Sequence, residues 1–205
     1  GAPEALDACV TQMFGGDALA MARAYYALVT ENVRKYRPEI IGHFDLVKKN
    51  NCGGHLFDEA DPVYRTAALE ALDACAATGA VFEVNTGGMF RGYCGEPYPS
   101  RFLLEALRES GARVTVNADA HCTEAVRFRF DETLALLRDI GFTAVTVLED
   151  GMFVENPLCR SRCVNILTKS NGLICAYRTE FCCRAGKCFA PVRRSFVCTR
   201  ARRMV

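Results

Sequence analysis

The sequence has 205 residues, of which half are hydrophobic and 24% charged, as is typical of a globular protein with a sizeable core. No apolar run approaches the roughly 20 residues that span a bilayer, and no basic segment leads into an apolar one as in a secretory signal. We therefore expect no membrane partner. The formal net charge of +1 hides a strong asymmetry along the chain.

Charge and cysteine content both change at Leu158. Residues 1–158 contain 23 acidic and 14 basic residues, whereas residues 159–205 contain 11 basic residues and one acid, Glu180. Seven of the 12 cysteines also lie in this second segment. Two compositional shifts at one point indicate a boundary. We therefore predict two separate segments.

Helices and strands alternate in the first segment. Apolar residues at helical spacing, ended by Pro or Gly, predict helices at residues 18–36, 62–78, 99–110 and 130–140. Short β-branched and aromatic runs predict buried strands at residues 39–43, 80–85, 113–117 and 143–148. The alternation predicts an α/β fold with a parallel sheet or a (β/α) barrel.

Polar side chains gather at the ends of the predicted strands. His43 ends the first strand, Glu83 and Asn85 end the second, and Asp119 and His121 follow the third. Carboxyl ends of parallel strands meet at one rim, where sites are built. A carboxylate and an imidazole two residues apart can reach one cation, and this pair suits Zn, Mn or Fe. The alternatives are a solvated Asp119 with an incidental His121, and a core histidine at position 43.

Residues 89–100 form a long Gly- and Pro-rich loop with several polar side chains. Arg91 suits a phosphate group because its planar fork binds oxyanions in two places. Ser100 is a second candidate phosphate contact, since it lies at a predicted helix start. The alternative is a surface loop with solvated charges. Glu83 could orient a metal ligand, or form an ion pair with Arg91 instead.

The other histidine and the cysteines of the first segment carry no such signal. His55 lies in a turn-like stretch, and we interpret it as a surface residue. The five cysteines show neither metal spacing nor a C-x-x-C pair, which indicates reduced thiols and a cytoplasmic location.

Four sequence blocks together resemble the histidinol-phosphatase family of the PHP (polymerase and histidinol phosphatase) superfamily. The blocks are I-I-G-H-F-D-L-V-K-K at residues 40–49, E-V-N-T-G-G at 83–88, R-G with E-P-Y-P-S at 91–100, and D-A-H at 119–121. Their order and spacing match across nearly all of residues 1–158. The E-P-Y-P-S block beside N-T-G-G distinguishes this branch from the polymerase-associated domains.

The resemblance implies a fold and an activity. The fold would be a distorted (β/α)₇ barrel, similar to a TIM barrel, with divalent metal ions at its C-terminal rim. The activity would be the metal-dependent hydrolysis of a small phosphate ester, L-histidinol phosphate, to L-histidinol in histidine biosynthesis. Another phosphate ester is an alternative substrate.

The resemblance also implies roles for individual residues. His43, Asp119 and His121 would be ligands of Zn, Mn or Fe. Arg91 would bind the phosphate and stabilise the charge that develops on it. The supporting catalytic residues would be Glu83, Asn85 and Tyr98.

One departure from the family pattern affects the predicted activity. Members of the family begin with an H-x-H strand and carry further ligands before the region seen here, whereas this chain has only three histidines. We therefore expect a partial barrel that lacks its first strands, with the missing sequence upstream of Gly1. The chain should have little or no phosphatase activity by itself. The alternative is a truncated barrel without catalytic function.

The second segment, residues 159–205, resembles nothing in this family. Its cysteines could form a zinc site only by combining Cys159 and Cys163 with Cys183 and Cys188. Its arginines would suit nucleic acid, which is a further alternative. Because it shows no helical or strand periodicity, we predict an unrelated, poorly ordered extension and expect no nucleic-acid partner.

Overall fold

The computed structural model describes residues 3–158 and four short segments, residues 166–170, 173–177, 183–184 and 187–188. The chain divides into two units, Gly1–Leu158 and Cys159–Val205, at the point where charge and cysteine content change. Within the described residues, none of the helices is both long and apolar enough to cross a membrane.

The first unit alternates helices and strands, as the sequence predicts. Its helices are α1 (Pro3–Phe14), α2 (Ala18–Tyr36), α3 (Pro62–Ala76), α4 (Gly87–Phe90), α5 (Arg101–Glu109) and α6 (Phe130–Ile140). Its strands are β1 (Ile40–Ile41), β2 (Val81–Asn85), β3 (Val114–Asn117), β4 (Ala144–Glu149) and β5 (Met152–Pro157). All four predicted helices and four predicted strands are present, whereas α1, α4 and β5 were not predicted.

Local signals fix where the longer helices begin and end. The side chain of Asp17 accepts a hydrogen bond from the backbone N–H of Ala20 at 2.8 Å, and Asp61 does the same for Val63 at 2.7 Å. Each carboxylate satisfies a backbone N–H that the first helical turn leaves free. Helix α6 ends at Gly141, whose φ of 105° lies in the left-handed region.

Strands β1, β2 and β3 form a parallel sheet in that order, which confirms the predicted α/β class. Phe82 on β2 pairs with Ile41 on one side and Val114 on the other. The register continues until Asn85 lies opposite Asn117, so the polar residues that end β2 and β3 are neighbours. A short parallel sheet is common to open sheets and barrels, and the (β/α)₇ barrel therefore stays a prediction.

The core lies between the sheet and the helices. Its largest buried side chains are aromatic: Tyr26 of α2 contacts Phe44, and Tyr64 of α3 stacks on Phe57 with ring centroids 4.9 Å apart. The hydroxyls of Tyr26 and Tyr64 form a buried hydrogen bond of 3.0 Å. This bond satisfies both polar groups, so the two helices can pack closely without leaving an unpaired hydroxyl.

Strand β4 corrects one expectation. It is not hydrogen-bonded to the parallel sheet but pairs antiparallel with β5, so that Val147 lies opposite Val154. The turn between them has positive φ at both central residues, 50° at Asp150 and 78° at Gly151. An Asp-Gly pair in this conformation is typical of a two-residue hairpin.

The second unit contains two described hairpins. Strands β6 (Ile166–Ser170) and β7 (Leu173–Tyr177) pair antiparallel, as do β8 (Cys183–Arg184) and β9 (Lys187–Cys188). The sequence of this segment shows no periodicity that predicts these strands. Cys159 and Cys163 lie outside the described residues. The predictions of poor order, zinc binding and nucleic-acid binding stay untested.

Candidate functional site

A cavity of about 100 Å³ lies at the carboxyl ends of the parallel strands. It is lined by residues from four parts of the chain: His43, Leu46, Lys49, Asn85, Arg91, Tyr93, Tyr98 and Asp119. Five of these eight were predicted as site residues. His43 and Asp119, which follow β1 and β3, thus face the same space.

His43 follows β1 in a strained backbone conformation, with a φ of 31°. Left-handed backbone is costly for a residue with a side chain, so the surroundings must hold it. The carboxylate of Glu83 does so, because its Oε2 accepts the backbone N–H of His43 at 2.9 Å.

Glu83 joins the ends of all three parallel strands. Besides His43 after β1, it accepts hydrogen bonds from the side-chain amides of Asn85 on β2 and Asn117 on β3, each at 3.1 Å. The alternative of an ion pair with Arg91 is wrong, since Arg91 pairs with a different acid. Glu83 is not among the residues that line the cavity. It holds the strand ends together, and the supporting catalytic role predicted for it stays a prediction.

Arg91, Asp119 and His121 form one cluster. Nη2 of Arg91 lies 2.7 Å from Oδ2 of Asp119, and its Nη1 donates to the Asp119 carbonyl oxygen at 3.1 Å. Nδ1 of His121 lies 2.8 Å from the same carbonyl oxygen and 3.4 Å from Nη1 of Arg91. His121 is exposed and does not line the cavity. The structure thus brings the three residues together but turns only Arg91 and Asp119 toward the cavity.

These residues alone do not fit a divalent metal ion. In the part of the chain that the structure describes, no three His, Cys, Asp or Glu side chains lie close enough to hold one. Arg91 also occupies Oδ2 of Asp119, and a cation beside a carboxylate competes with a metal for it. His43, Asp119 and His121 therefore stay predicted ligands whose arrangement here is incomplete.

The glycines of the N-T-G-G block allow close packing at the cavity wall. A Cβ atom at Gly87 would lie 2.7 Å from both the Ala118 carbonyl oxygen and Nη2 of Arg91. The backbone N–H of Gly87 donates to Oδ1 of Asn85 at 2.8 Å, so both ends of the buried Asn85 amide are bonded. Asn85 is therefore held as part of the wall.

Tyr98 contributes a buried side chain to the cavity wall. Its side chain is buried, and its hydroxyl has no hydrogen-bond partner among the described residues. Burial, assisted by the neighbouring Cys94, raises the pKa of Tyr98 well above its usual range. The hydroxyl therefore keeps its proton.

Ser100 does not reach the cavity, contrary to the role predicted for it. Its backbone N–H and its hydroxyl both lie within 2.9 Å of Oδ2 of Asp45, and Lys48 donates to its hydroxyl oxygen. A buried carboxylate thus already occupies the start of α5. This arrangement leaves no place for a phosphate at Ser100.

Lys48 is a buried cation that the sequence analysis did not single out. Its side chain is 2% exposed, and its Nζ lies 3.1 Å from Asp45, 3.0 Å from Glu96 and 3.8 Å from Glu59. Burial alone would lower the pKa of Lys48, but these carboxylates outweigh it and raise the pKa. The only sequence signal was an acid and a base three residues apart, which is common on protein surfaces.

Lys49 and Tyr93 were also missed, although both line the cavity. Nζ of Lys49 lies 4.7 Å from the centroid of the Tyr93 ring, within the range of a cation–π interaction. Both residues stand inside the sequence blocks that carry the family resemblance.

Three curated proteins are similar to this chain. A probable histidinol-phosphatase of Deinococcus radiodurans is 41% identical over 124 residues, which cover 60% of this chain and 44% of that protein. A probable histidinol-phosphatase of Schizosaccharomyces pombe is 27% identical over 135 residues, which cover 62% of this chain and 42% of that protein. The histidinol-phosphatase of Saccharomyces cerevisiae is 25% identical over 161 residues, covering 68% and 48%. No family model matches the chain.

The similarity to histidinol-phosphatases that the sequence blocks indicate is confirmed by these relatives. The chain spans less than half the length of each of the three. The matched region of this chain therefore corresponds to one portion of these relatives.

Replacing Lys48 with Met should destabilise the fold by about 3 kcal/mol, because it leaves the buried carboxylate of Asp45 without a partner. The free energy of unfolding, measured by urea denaturation, checks this. Lys35→Met is the matched control, since Lys35 is exposed and its loss should change stability by less than about 0.5 kcal/mol. Adding Asp45→Asn to Lys48→Met should recover part of the loss. Equal stability of the two single variants would contradict the structural role of Lys48.

Replacing Gly88 with Ala should cost about 1–3 kcal/mol of stability, as overpacking does. The new Cβ would lie 2.4 Å from Cε2 of Tyr98 and 2.7 Å from Sγ of Cys94. Gly95→Ala is the control, because a Cβ there meets nothing within 4 Å. Thermal unfolding of both variants compares them. A Gly88→Ala protein as stable as Gly95→Ala would show that the wall beside Tyr98 is loosely packed.

Acid should remove the stabilisation that comes from Glu96. Burial favours its neutral form, but the charge of Lys48 and hydrogen bonds from Arg101, Lys48 and Ser100 together outweigh burial and lower the pKa of Glu96. The stabilisation is therefore complete above the unfolded-state pKa of about 4.3 and is lost as pH falls through the lower folded-state value. The difference in unfolding free energy between the unsubstituted chain and Glu96→Gln should shrink below about pH 4. A difference that stays constant down to pH 3 would exclude this ion pair.

Proposed function

We propose that this chain is the part of a histidinol-phosphatase-like phosphomonoesterase that holds the phosphate group of L-histidinol phosphate. One observation carries the proposal: five residues singled out from the sequence line a single cavity at the strand ends. The chain is also similar to one protein named histidinol-phosphatase and to two named probable histidinol-phosphatase, which supports phosphate ester hydrolysis as the reaction class.

The chemistry of the cavity suits a phosphate monoester. Arg91 offers a planar fork of N–H donors, and its contact with Asp119 fixes the direction of that fork. The buried side chain of Tyr98 forms part of the same cavity wall. Donors fixed before the ligand arrives stabilise charge on phosphoryl oxygens without having to reorganise.

The size of the cavity sets what it can hold. A volume of about 100 Å³ accommodates a few water molecules or one phosphoryl group, but not the whole of L-histidinol phosphate. We therefore infer that the phosphoryl end enters the cavity and that the imidazole and the amine of the substrate stay outside it.

Metal dependence is part of the proposal. We propose His43, Asp119 and His121 as ligands of Zn, Mn or Fe, together with further ligands that the described residues do not supply. The chain contains three histidines in all, and His55 lies within 3.6 Å of Asp7, not at the cavity. This chain should therefore bind the phosphate ester but hydrolyse it little by itself.

The wider architecture and the location follow the same reasoning. We propose that the parallel sheet of β1, β2 and β3 is one arc of a (β/α)₇ barrel, since sites of such barrels lie at the carboxyl ends of the strands. We also propose a cytoplasmic location. The described cysteines Cys9, Cys75, Cys94 and Cys122 are free thiols, as is usual in a reducing compartment.

A second function is favoured by the ligand arrangement. Within the described residues no metal-binding group of three is complete, which fits a protein that binds phosphate esters without turning them over. Both functions predict little turnover by the chain alone. They differ in whether turnover appears once further metal ligands are supplied.

The purified chain should bind L-histidinol phosphate but release little or no phosphate, with or without Mn²⁺ or Zn²⁺. Calorimetry measures the binding and a phosphate-release assay measures the turnover. Arg91→Ala should weaken binding by about tenfold or more, because it removes the fork and leaves the Asp119 carboxylate to repel the dianion.

The control is Arg23→Ala, since Arg23 forms a surface ion pair with Asp17 at 3.8 Å and does not line the cavity. Robust turnover by the chain alone would show that no further ligands are needed. Failure of the unsubstituted chain to bind the ester would contradict the proposed function itself.

A further inference from the structure

The charges around the cavity do not balance. Three charged side chains line it: Lys49, Arg91 and Asp119. Arg91 and Asp119 lie 2.7 Å apart and largely neutralise one another. The excess positive charge therefore belongs to Lys49, which forms no ion pair with any described residue.

Tyr93 positions this charge without neutralising it. Nζ of Lys49 lies 4.7 Å from the centroid of the Tyr93 ring, and Cζ of Arg91 lies 5.9 Å from the same centroid. An aromatic face attracts a cation through its quadrupole but carries no net charge. The charge of Lys49 can therefore still attract an anion in the cavity.

The neighbouring lysine provides a contrast within the same segment. Lys48 is buried and its charge is matched by Asp45, Glu96 and Glu59. Lys49 is partly exposed and rests on an aromatic ring at the cavity. The charge of Lys48 thus stabilises the fold, whereas the charge of Lys49 is available for a ligand.

We propose that Lys49 is a second phosphate-binding cation of this cavity, besides Arg91, and that Tyr93 is the residue that positions it. The ligand class is a phosphate monoester or inorganic phosphate in its dianionic form. Lys49 supplies a compact point charge to one phosphoryl oxygen, while Arg91 supplies a directed fork to the others. The inference rests on the proposed function, because it assumes that phosphate occupies this cavity.

Lys49, and not Ser100 as the sequence predicts, is the second phosphate contact in this proposal. Both polar groups of Ser100 are bound to Asp45 and its hydroxyl also contacts Lys48 and Glu59, so three charged side chains already surround it. A dianion near Ser100 would meet the Asp45 and Glu59 carboxylates. Lys49 faces no such competitor among the residues lining the cavity except Asp119, which is bound to Arg91.

The test is a titration of the full chain with inorganic phosphate and with L-histidinol phosphate, followed by calorimetry and by phosphorus NMR. Lys49→Met should weaken the binding of both by about tenfold, whereas Lys49→Arg should retain most of it. Lys35→Met is a matched control, because Lys35 also lies over a tyrosine ring, that of Tyr36 at 4.9 Å, but does not line the cavity. It should bind both ligands as the unsubstituted chain does.

The positioning role of Tyr93 has its own readout. Tyr93→Phe keeps the aromatic face and should leave phosphate binding unchanged, whereas Tyr93→Leu should weaken it several-fold. In the Lys49→Met background, Tyr93→Leu should reduce phosphate affinity clearly less than it does in the unsubstituted chain. The reason is that the ammonium group that Tyr93 positions is already absent. Equal losses in both backgrounds would show that Tyr93 does not act through Lys49.

The outcomes separate this inference from the proposed function. If Lys49→Met binds phosphate normally while Arg91→Ala does not, the role of Lys49 is wrong and the proposed function stands. If the unsubstituted chain binds neither ligand, both are contradicted. Circular dichroism and urea denaturation verify that each variant is folded, and Lys49→Gln replaces Lys49→Met if the latter is not.

Discussion

The candidate site depends on one buried ion cluster. Lys48 and Asp45, from the segment after β1, meet Ser100 and Glu96, from the segment before α5. A lone charge at this depth would cost several kcal/mol, so the two segments are stable only together. His43 precedes Asp45 by two residues and Tyr98 precedes Ser100 by two, and both line the cavity. The cluster thus sets the distance between opposite walls of the site.

A division of roles between acids and cations follows from this arrangement. Asp45 and Glu83 accept hydrogen bonds from backbone and side-chain donors, and these bonds hold loops and strand ends in place. Arg91 is held by the carboxylate of Asp119 and Lys49 by the ring of Tyr93, and both cations line the cavity. Asp45 and Glu83 therefore stabilise the frame, whereas Arg91 and Lys49 line the cavity. A pocket arranged in this way favours anions, and it does so before any metal is considered.

Most of the fold could be predicted because its signals are local. Helix α2 was predicted with its observed bounds, since apolar spacing at its centre and Pro38 after its end are both visible in the sequence. The β4–β5 hairpin was missed because only the apolar run before Asp150 was used for the prediction. The Asp150-Gly151 pair, which is typical of a tight hairpin, was not used. The sequence pair Asn171-Gly172 carries the same signal between β6 and β7.

The site was only partly predictable, for a physical reason. His43 and Asp119 could be placed together because parallel strands bring their carboxyl ends to one rim. Lys48 and Lys49 are the same residue type at adjacent positions, and nothing local separates them. Their difference arises from Glu96 and Tyr93, which lie more than 40 residues away in the sequence and reach them only through the fold. A charge is structural or functional according to its partners, and those partners here come from a distant loop that the buried cluster itself holds in place.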